Sequence, residues 1–210
     1  MKWSISFCLF CSFALSSHSE GLSLTDDLGR LIDVDEPPKT VVSLSPHLTE
    51  LLFDLGAGHT VVGTVDFSDY PNSAKSIPRI GDASALNLER IIQMKPDLVI
   101  AWLSGGSFQS VERLIGLGLK VYVNEIRTPR DIASSAEKLG VLVGQKKRGL
   151  ELSFKFSEKI IGIQESSIEI RAPSVFFQLG EEDLFTFSGQ HFLGKAIEIC
   201  GAKNVFSNAS

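Results

Sequence analysis

The sequence predicts an α/β fold: a mainly parallel sheet covered by helices on both faces, then one long helix, then the start of a second α/β unit. Three observations carry this. Short apolar runs alternate with helical-period segments from residue 40 to residue 144. The helical segments open on capping residues or prolines and close at glycines or a proline. A single amphipathic stretch, Lys146 to Ile168, then repeats Leu152, Phe156, Ile160 and Ile163 on one face.

Val41-Val42-Ser43-Leu44 reads as a short buried strand. Ser45 caps the next helix, Pro46 takes its first position and Gly56 ends it. Val61 to Val65 is a second strand, and Arg79-Ile80-Gly81 a very short third. Asn87 caps a helix whose buried stripe is Leu88, Ile91 and Ile92, and Pro96 stops it. Leu98 to Trp102 is a strand. Phe108 to Leu117 is a helix with Val111, Leu114 and Ile115 inward, ended by Gly118. Lys120 to Asn124 is a strand, and Pro129 to Val143 a helix facing inward through Ile132, Ala136, Leu139 and Val143. The long helix that follows spans about 34 Å at about 1.5 Å per residue, long enough to act as a rigid spacer. A second unit begins at Pro173, with strands over Ser174 to Leu179 and Leu184 to Phe187 and a helix over Phe192 to Cys200. A unit this short rarely folds without a staple or a partner, so the second lobe reads as truncated.

The N-terminus has the pattern of a secretion signal. Lys2 supplies the charge, Ile5 to Leu15 an apolar run too short to span a bilayer, and Ala14-Leu15-Ser16 and Ser17-His18-Ser19 offer small residues for cleavage. Residues 1–19 are therefore expected to be removed. Losing Lys2 moves the formal net charge from -5 to -6. That excludes a basic nucleic-acid footprint and argues against anionic membrane surfaces. Cys8 and Cys11 leave with the signal and Cys200 stays alone. Its simplest reading is a small buried apolar residue; the alternative is half of a disulfide whose partner is missing.

The order and spacing of several motifs go further. Val42-Ser43-Leu44-Ser45-Pro46, Thr49-Glu50-Leu51, Val62-Gly63 and Ser68-Asp69-Tyr70-Pro71 come first. Asn87-Leu88-Glu89-Arg90-Ile91 and Lys95-Pro96-Asp97 through Trp102 follow, then Val175-Phe176-Phe177-Gln178 and Ile199-Cys200-Gly201. Together they resemble the periplasmic substrate-binding proteins that feed cobalamin, haem and siderophore ABC importers, and the cobalamin binders most of all. The resemblance implies α/β architecture with two Rossmann-like lobes joined by a long helix, ligand between the lobes, and delivery by docking on an inner-membrane permease. On it the chain divides into a signal (1–19), an extended lead-in (20–39), an N-terminal ligand-binding lobe (40–144), a linking helix (145–169) and an incomplete C-terminal lobe (170–210).

The resemblance also implies site residues. A corrin ring has broad apolar faces that suit aromatic walls. Phe67 stands where the cobalamin binders place a pocket tyrosine, Trp102 on a pocket tryptophan, and Leu179 in place of a phenylalanine with Phe185 and Phe187 nearby. Ala83 departs from the pattern, which has a tryptophan there. For each aromatic the alternative is core packing: the better reading for Phe185 and Phe187 taken alone, an even one for Phe67, the weaker one for Trp102. A large residue at a strand's carboxyl end points into the crevice where open α/β sheets bind ligands. Glu89 corresponds to a docking acid that meets permease arginines; in the first turn of a helix it is also stabilised by the dipole, by ~0.3–1 kcal/mol. His47, His59 and His191 lack metal-ligand spacing; His47, beside Pro46, reads first as a solvated helix-start residue, with approach to the cleft as the alternative. Tyr70 has no ligand role.

The expectation is a monomeric periplasmic protein that captures cobalamin as transported ligand, with no cofactor, metal, catalytic residue or nucleic-acid partner. The alternatives are a haem or siderophore binder of the same family, an exported enzyme on a similar scaffold, and a non-functional fragment. No nucleophile elbow or phosphate loop supports the enzyme. The fragment reading carries weak or absent cobalamin binding as its consequence.

Overall fold

A computed structural model describes residues 22–82, 84–106, 108–167, 172–182 and 185–209. The expected signal, Ala83 and Leu184 lie outside the described residues.

The stretch expected to be an extended lead-in is a β-hairpin. Strands β1 (Leu22–Thr25) and β2 (Leu31–Val34) pair antiparallel. The reason lies in its turn. The buried Asp26 carboxylate accepts the backbone N–H groups of Leu28 at 3.0 Å, Arg30 at 2.9 Å and Val123 at 3.3 Å. It also receives Arg30 Nε at 3.0 Å and Nη2 at 2.5 Å. Asp27 takes Glu125 N–H at 2.7 Å and Lys138 Nζ at 2.7 Å. The acidic pair read as loop polarity thus clamps the hairpin to the domain, and β2 alternates Ile32 and Val34 into the core. Asp26→Ala is expected to cost about 3–5 kcal/mol, because the half-buried Arg30 and three backbone donors lose their shared, buried acceptor. Urea unfolding checks this; an unchanged midpoint overturns it.

The central sheet is parallel, in the order β4-β3-β5-β6, from β3 (Val41–Ser43), β4 (Val61–Thr64), β5 (Leu98–Trp102) and β6 (Val121–Asn124). Its residues alternate between two cores, as the pleat requires. Val41, Leu98, Ile100 and Tyr122 pack with α1 (Pro46–Asp54) and α4 (Asp131–Leu142). Val42, Val99, Ala101, Val121 and Val123 pack with α2 (Leu88–Gln93) and α3 (Phe108–Gly116). Both expected caps form: Ser45 Oγ accepts Leu48 N–H at 3.3 Å, and Asn87 Oδ1 accepts Arg90 N–H at 2.9 Å. Ile92 departs from the expected stripe and is 40% exposed, since a six-residue helix buries one turn, centred on Ile91. The α2–β5 turn is tied back by Asp97, which accepts Lys39 N–H at 2.8 Å and Thr40 N–H at 2.9 Å. Those bonds hold its carboxyl below the usual range.

Helix α5 (Lys146–Ser167) crosses α4 at two glycines. A Cβ on Gly140 would stand 2.7 Å from Gly149 Cα, and one on Gly149 would stand 2.6 Å from the Ala136 carbonyl oxygen. Of the predicted stripe, Ile160 is buried, Leu152 and Phe156 are half-buried and Ile163 is exposed.

The second lobe holds α6 (Phe192–Ile199) and a two-stranded parallel ladder of β7 (Ser174–Val175) and β8 (Lys203–Asn204). Its strands are shorter than expected. Phe185 forms an isolated bridge to Leu179 instead of a strand with Phe187. Cys200 is exposed and free, not buried and not in a disulfide among the described residues. It caps α6 at the C-terminal end, where the chain turns out to Gly201.

Candidate functional site

The strand order locates the site. From β3 the chain runs through α1 to β4 on one side; from β5 it runs through α3 to β6 on the other. The connections leaving the carboxyl ends of these two neighbouring strands diverge, and a crevice opens between them. Trp102 ends β5, and His47 follows β3 at the start of α1. Their rings meet edge to face, centroids 4.9 Å apart at 88°.

A cleft of about 470 Å³ lies here, lined by His47, Glu50, Leu51, Asp54, Trp102, Ile126, Ile132, His191 and Phe192. The first seven come from the N-terminal lobe; His191 and Phe192 come from the start of α6, so the cleft lies between the two lobes. Gly105 lets the loop after β5 pass against Trp102, because a Cβ there would fall inside the indole. Trp102 Nε1 is buried without a hydrogen-bond partner among the described residues.

Electrostatically the cleft is apolar with acidic groups. No lysine or arginine is among its lining residues, while Glu50 and Asp54 stand one helical turn apart on α1. His47 is neutral at pH 7, because burial holds its imidazole down to about 4. It is therefore not the solvated residue read from sequence. Ser45 Oγ lies 3.1 Å from its Nδ1, and Trp102 covers one side. His191 caps α6, its Nδ1 accepting Leu193 N–H at 3.2 Å, and its ring stacks on Phe187 at 5.2 Å.

Of the sequence-derived ligand residues, Trp102 lines the cleft; Phe67, Leu179 and Phe185 do not. Phe67 is 82% exposed at the carboxyl end of β4, with φ of 65°. A bulky residue in the left-handed region is strained, a condition that clusters at binding sites. Leu179 and Phe185 pair with each other on the second lobe, both exposed. Glu89 is exposed in the first turn of α2. Tyr70 is exposed before a cis proline, Pro71. Sequence reading missed Glu50, Leu51, Asp54, Ile126, Ile132, His191 and Phe192 as lining residues, and gave His47 a place near the cleft only as its second reading. The available signal was their place, on segments that leave strand ends or open a helix of the second lobe.

Two α/β lobes bridged by a long helix, with an apolar cleft between them at the switch point, are the architecture in which this site lies. The chain belongs to the periplasmic binding protein family, whose pattern matches residues 41–210. It is 31% identical over 176 residues to a vitamin B12-binding protein of Vibrio parahaemolyticus, covering 84% of this chain and 64% of that relative. It thus spans a little under two thirds of the length of the curated relatives it matches. The solved periplasmic vitamin B12 binding protein BtuF of Vibrio cholerae superposes with a TM-score of 0.77 at 27% identity, covering 83% of this chain and 68% of that one. The periplasmic heme-binding protein RhuT from Roseiflexus shares the fold, with a TM-score of 0.72 at 22% identity over 82% of this chain and 67% of that one.

Proposed function

We propose that this chain captures cobalamin in the cleft between its lobes and passes it to an ABC importer permease in the inner membrane. It works as a monomer in the periplasm, with residues 1–19 as its export signal. No bond within the corrinoid's organic framework is made or broken. The observation that carries this reading is the cleft's chemistry: an aromatic wall at Trp102, apolar sides, and carboxylates as its only charged groups among the described lining residues. A corrinoid suits such a lining. Its faces are apolar, and its peripheral amides offer N–H groups that carboxylates accept strongly. Haem and ferric siderophores are commonly anionic and would meet Glu50 and Asp54 with like charge. Phe67 serves as a further aromatic contact at the same end of the sheet, its strain and exposure offset when a ligand covers it. Leu179 and Phe185 provide apolar contact from the second lobe. Glu89, exposed on α2, meets a basic group of the permease.

The reading is tested by calorimetry of the 210-residue chain with cyanocobalamin and with haemin. A saturating one-to-one heat with cobalamin, undiminished by equimolar haemin, is expected. Displacement of cobalamin by haemin overturns it in favour of a haem binder, a second reading that His47 supports as a neutral imidazole in the cleft.

A further inference from the structure

We propose that Arg79 is a positioning residue of the ligand site: its guanidinium, together with the buried hydroxyl of Ser68, holds the loop after β4 so that Phe67 is presented to a bound corrinoid. The inference rests on the cobalamin reading. It goes beyond that reading by assigning the cause of Phe67's orientation to other residues of the loop.

Exposure changes abruptly in this loop. Phe67 is 82% exposed in left-handed backbone, whereas Ser68, the next residue, is fully buried. A bulky side chain keeps a positive φ only where its surroundings over-determine the backbone. The bonds that do this flank Phe67 on both sides. On the amino side, Asp66 N–H donates to the Gly81 carbonyl at 2.8 Å. On the carboxyl side, the Thr64 hydroxyl donates to Ser68 Oγ at 2.9 Å, and Thr64 Oγ1 lies 2.7 Å from Thr49 Oγ1 on α1. All three hydroxyl residues are buried, so each hydroxyl needs its partner. The chain of hydroxyls ties the loop to the helix that carries Glu50 and Asp54 to the cleft.

Arg79 closes the clamp. Its backbone bridges to Thr64 in parallel register. Its Nη2 donates to the Ser68 carbonyl at 2.9 Å and to Asp69 Oδ1 at 3.0 Å, and its Nη1 donates to the Ala74 carbonyl at 3.4 Å. A planar guanidinium fixes several acceptors in set directions, which an ammonium on a flexible stem does not. Ser68 is thus held through both its carbonyl and its hydroxyl, and Phe67 has little room to turn inward. The ion pair adds little stability, since the Asp69 side chain is 62% exposed. What the clamp supplies is direction. It holds an aromatic face outward at the carboxyl end of β4, next to β3 in the sheet, before any ligand arrives. Ordering a loop on binding lowers affinity, and a loop ordered in advance avoids that loss.

The test is a double-mutant cycle on the 210-residue chain, with cyanocobalamin affinity read by calorimetry and folding by circular dichroism. Arg79→Met keeps the stem and removes the fork; Ser68→Ala removes the hydroxyl anchor. Each is expected to weaken binding about tenfold, the loss that follows from ordering an aromatic side chain and its loop on binding. Phe67→Ala is expected to weaken it by a similar factor. In the Phe67→Ala background neither substitution is expected to weaken binding by more than about twofold further, since no ring remains to be aimed. A merely structural role lowers the melting temperature and weakens binding equally in both backgrounds. Equal losses with and without Phe67, or full affinity in both Arg79→Met and Ser68→Ala, overturn the assignment while leaving capture intact. Unchanged affinity in Phe67→Ala overturns it as well, because Phe67 is then no contact. If Arg79→Met does not fold, Ser68→Ala decides the cycle alone. Absence of cobalamin binding by the unaltered chain overturns capture itself, and this assignment with it.

Discussion

Trp102→Ala is expected to weaken cobalamin binding by about 30-fold or more while the chain stays folded. The fold-change follows from the position of the side chain. Trp102 is the last residue of a strand whose preceding four residues are buried, so its backbone is held by the ladder to Asn124 of β6. Its ring is held in turn by His47 on one side and the Gly105 loop on the other. Little side-chain freedom remains to be lost on binding, which is what makes a buried aromatic a dominant contact. Such anchors cost about 2 kcal/mol or more on truncation, and each 1.4 kcal/mol is about tenfold in affinity. Trp102→Phe separates two contributions. It keeps an aromatic face and removes the Nε1–H, which is buried and unpartnered in the free protein. An intermediate loss is expected if the ligand accepts that donor. Calorimetry is the readout, because Trp102 is the only tryptophan among the described residues and the substitution removes its fluorescence. Unchanged affinity in Trp102→Ala would remove the indole from the site.

Gly149→Val is expected to destabilise the protein by about 3 kcal/mol, at the upper end for overpacking. In a chain of this length that lowers the melting temperature by about 6–12 °C. At Gly149 the α5 backbone lies against the α4 backbone: the added carbon meets the Ala136 carbonyl oxygen at 2.6 Å and Gly140 Cα at 3.0 Å. Neither is the flexible end of a side chain, so the helices must separate. Separation would also shift the second lobe, because α5 carries it, and with it the His191–Phe192 wall of the cleft. Gly162→Ala on the same helix is the control. Nothing lies within 4 Å of its new carbon, and alanine favours a helix over glycine by about 1 kcal/mol, so stability should hold or rise. Thermal unfolding followed by circular dichroism decides it; equal melting temperatures for Gly149→Val and the unaltered chain would show that the crossing tolerates side chains.

The helices and strands of the first lobe were legible because their signals are local. Ser45-Pro46 and Asn87 satisfy backbone donors within a few residues, and the apolar runs of β3, β5 and β6 are buried on both faces wherever a parallel sheet forms. The hairpin was missed for the opposite reason. Asp26 and Asp27 look like loop polarity until Val123, Glu125 and Lys138, nearly a hundred residues or more away, become their partners. The buried reading of Cys200 failed because its exposure depends on how α6 ends, not on its residue type.

By itself the sequence determined the α/β rhythm, the long helix, the family and Trp102 at a strand's carboxyl end. All of these rest on periodicity, capping chemistry and motif order within short windows of chain. Only the tertiary structure decided which residues share the cleft with Trp102. His47, Glu50 and Asp54 reach it because the connections leaving the neighbouring strands β3 and β5 diverge, and His191 and Phe192 because α5 carries a second lobe over the opening. The lowered pKa of His47 belongs to that second category, since it follows from burial in the folded cleft, where one ring contact is Trp102, 55 residues further along the chain.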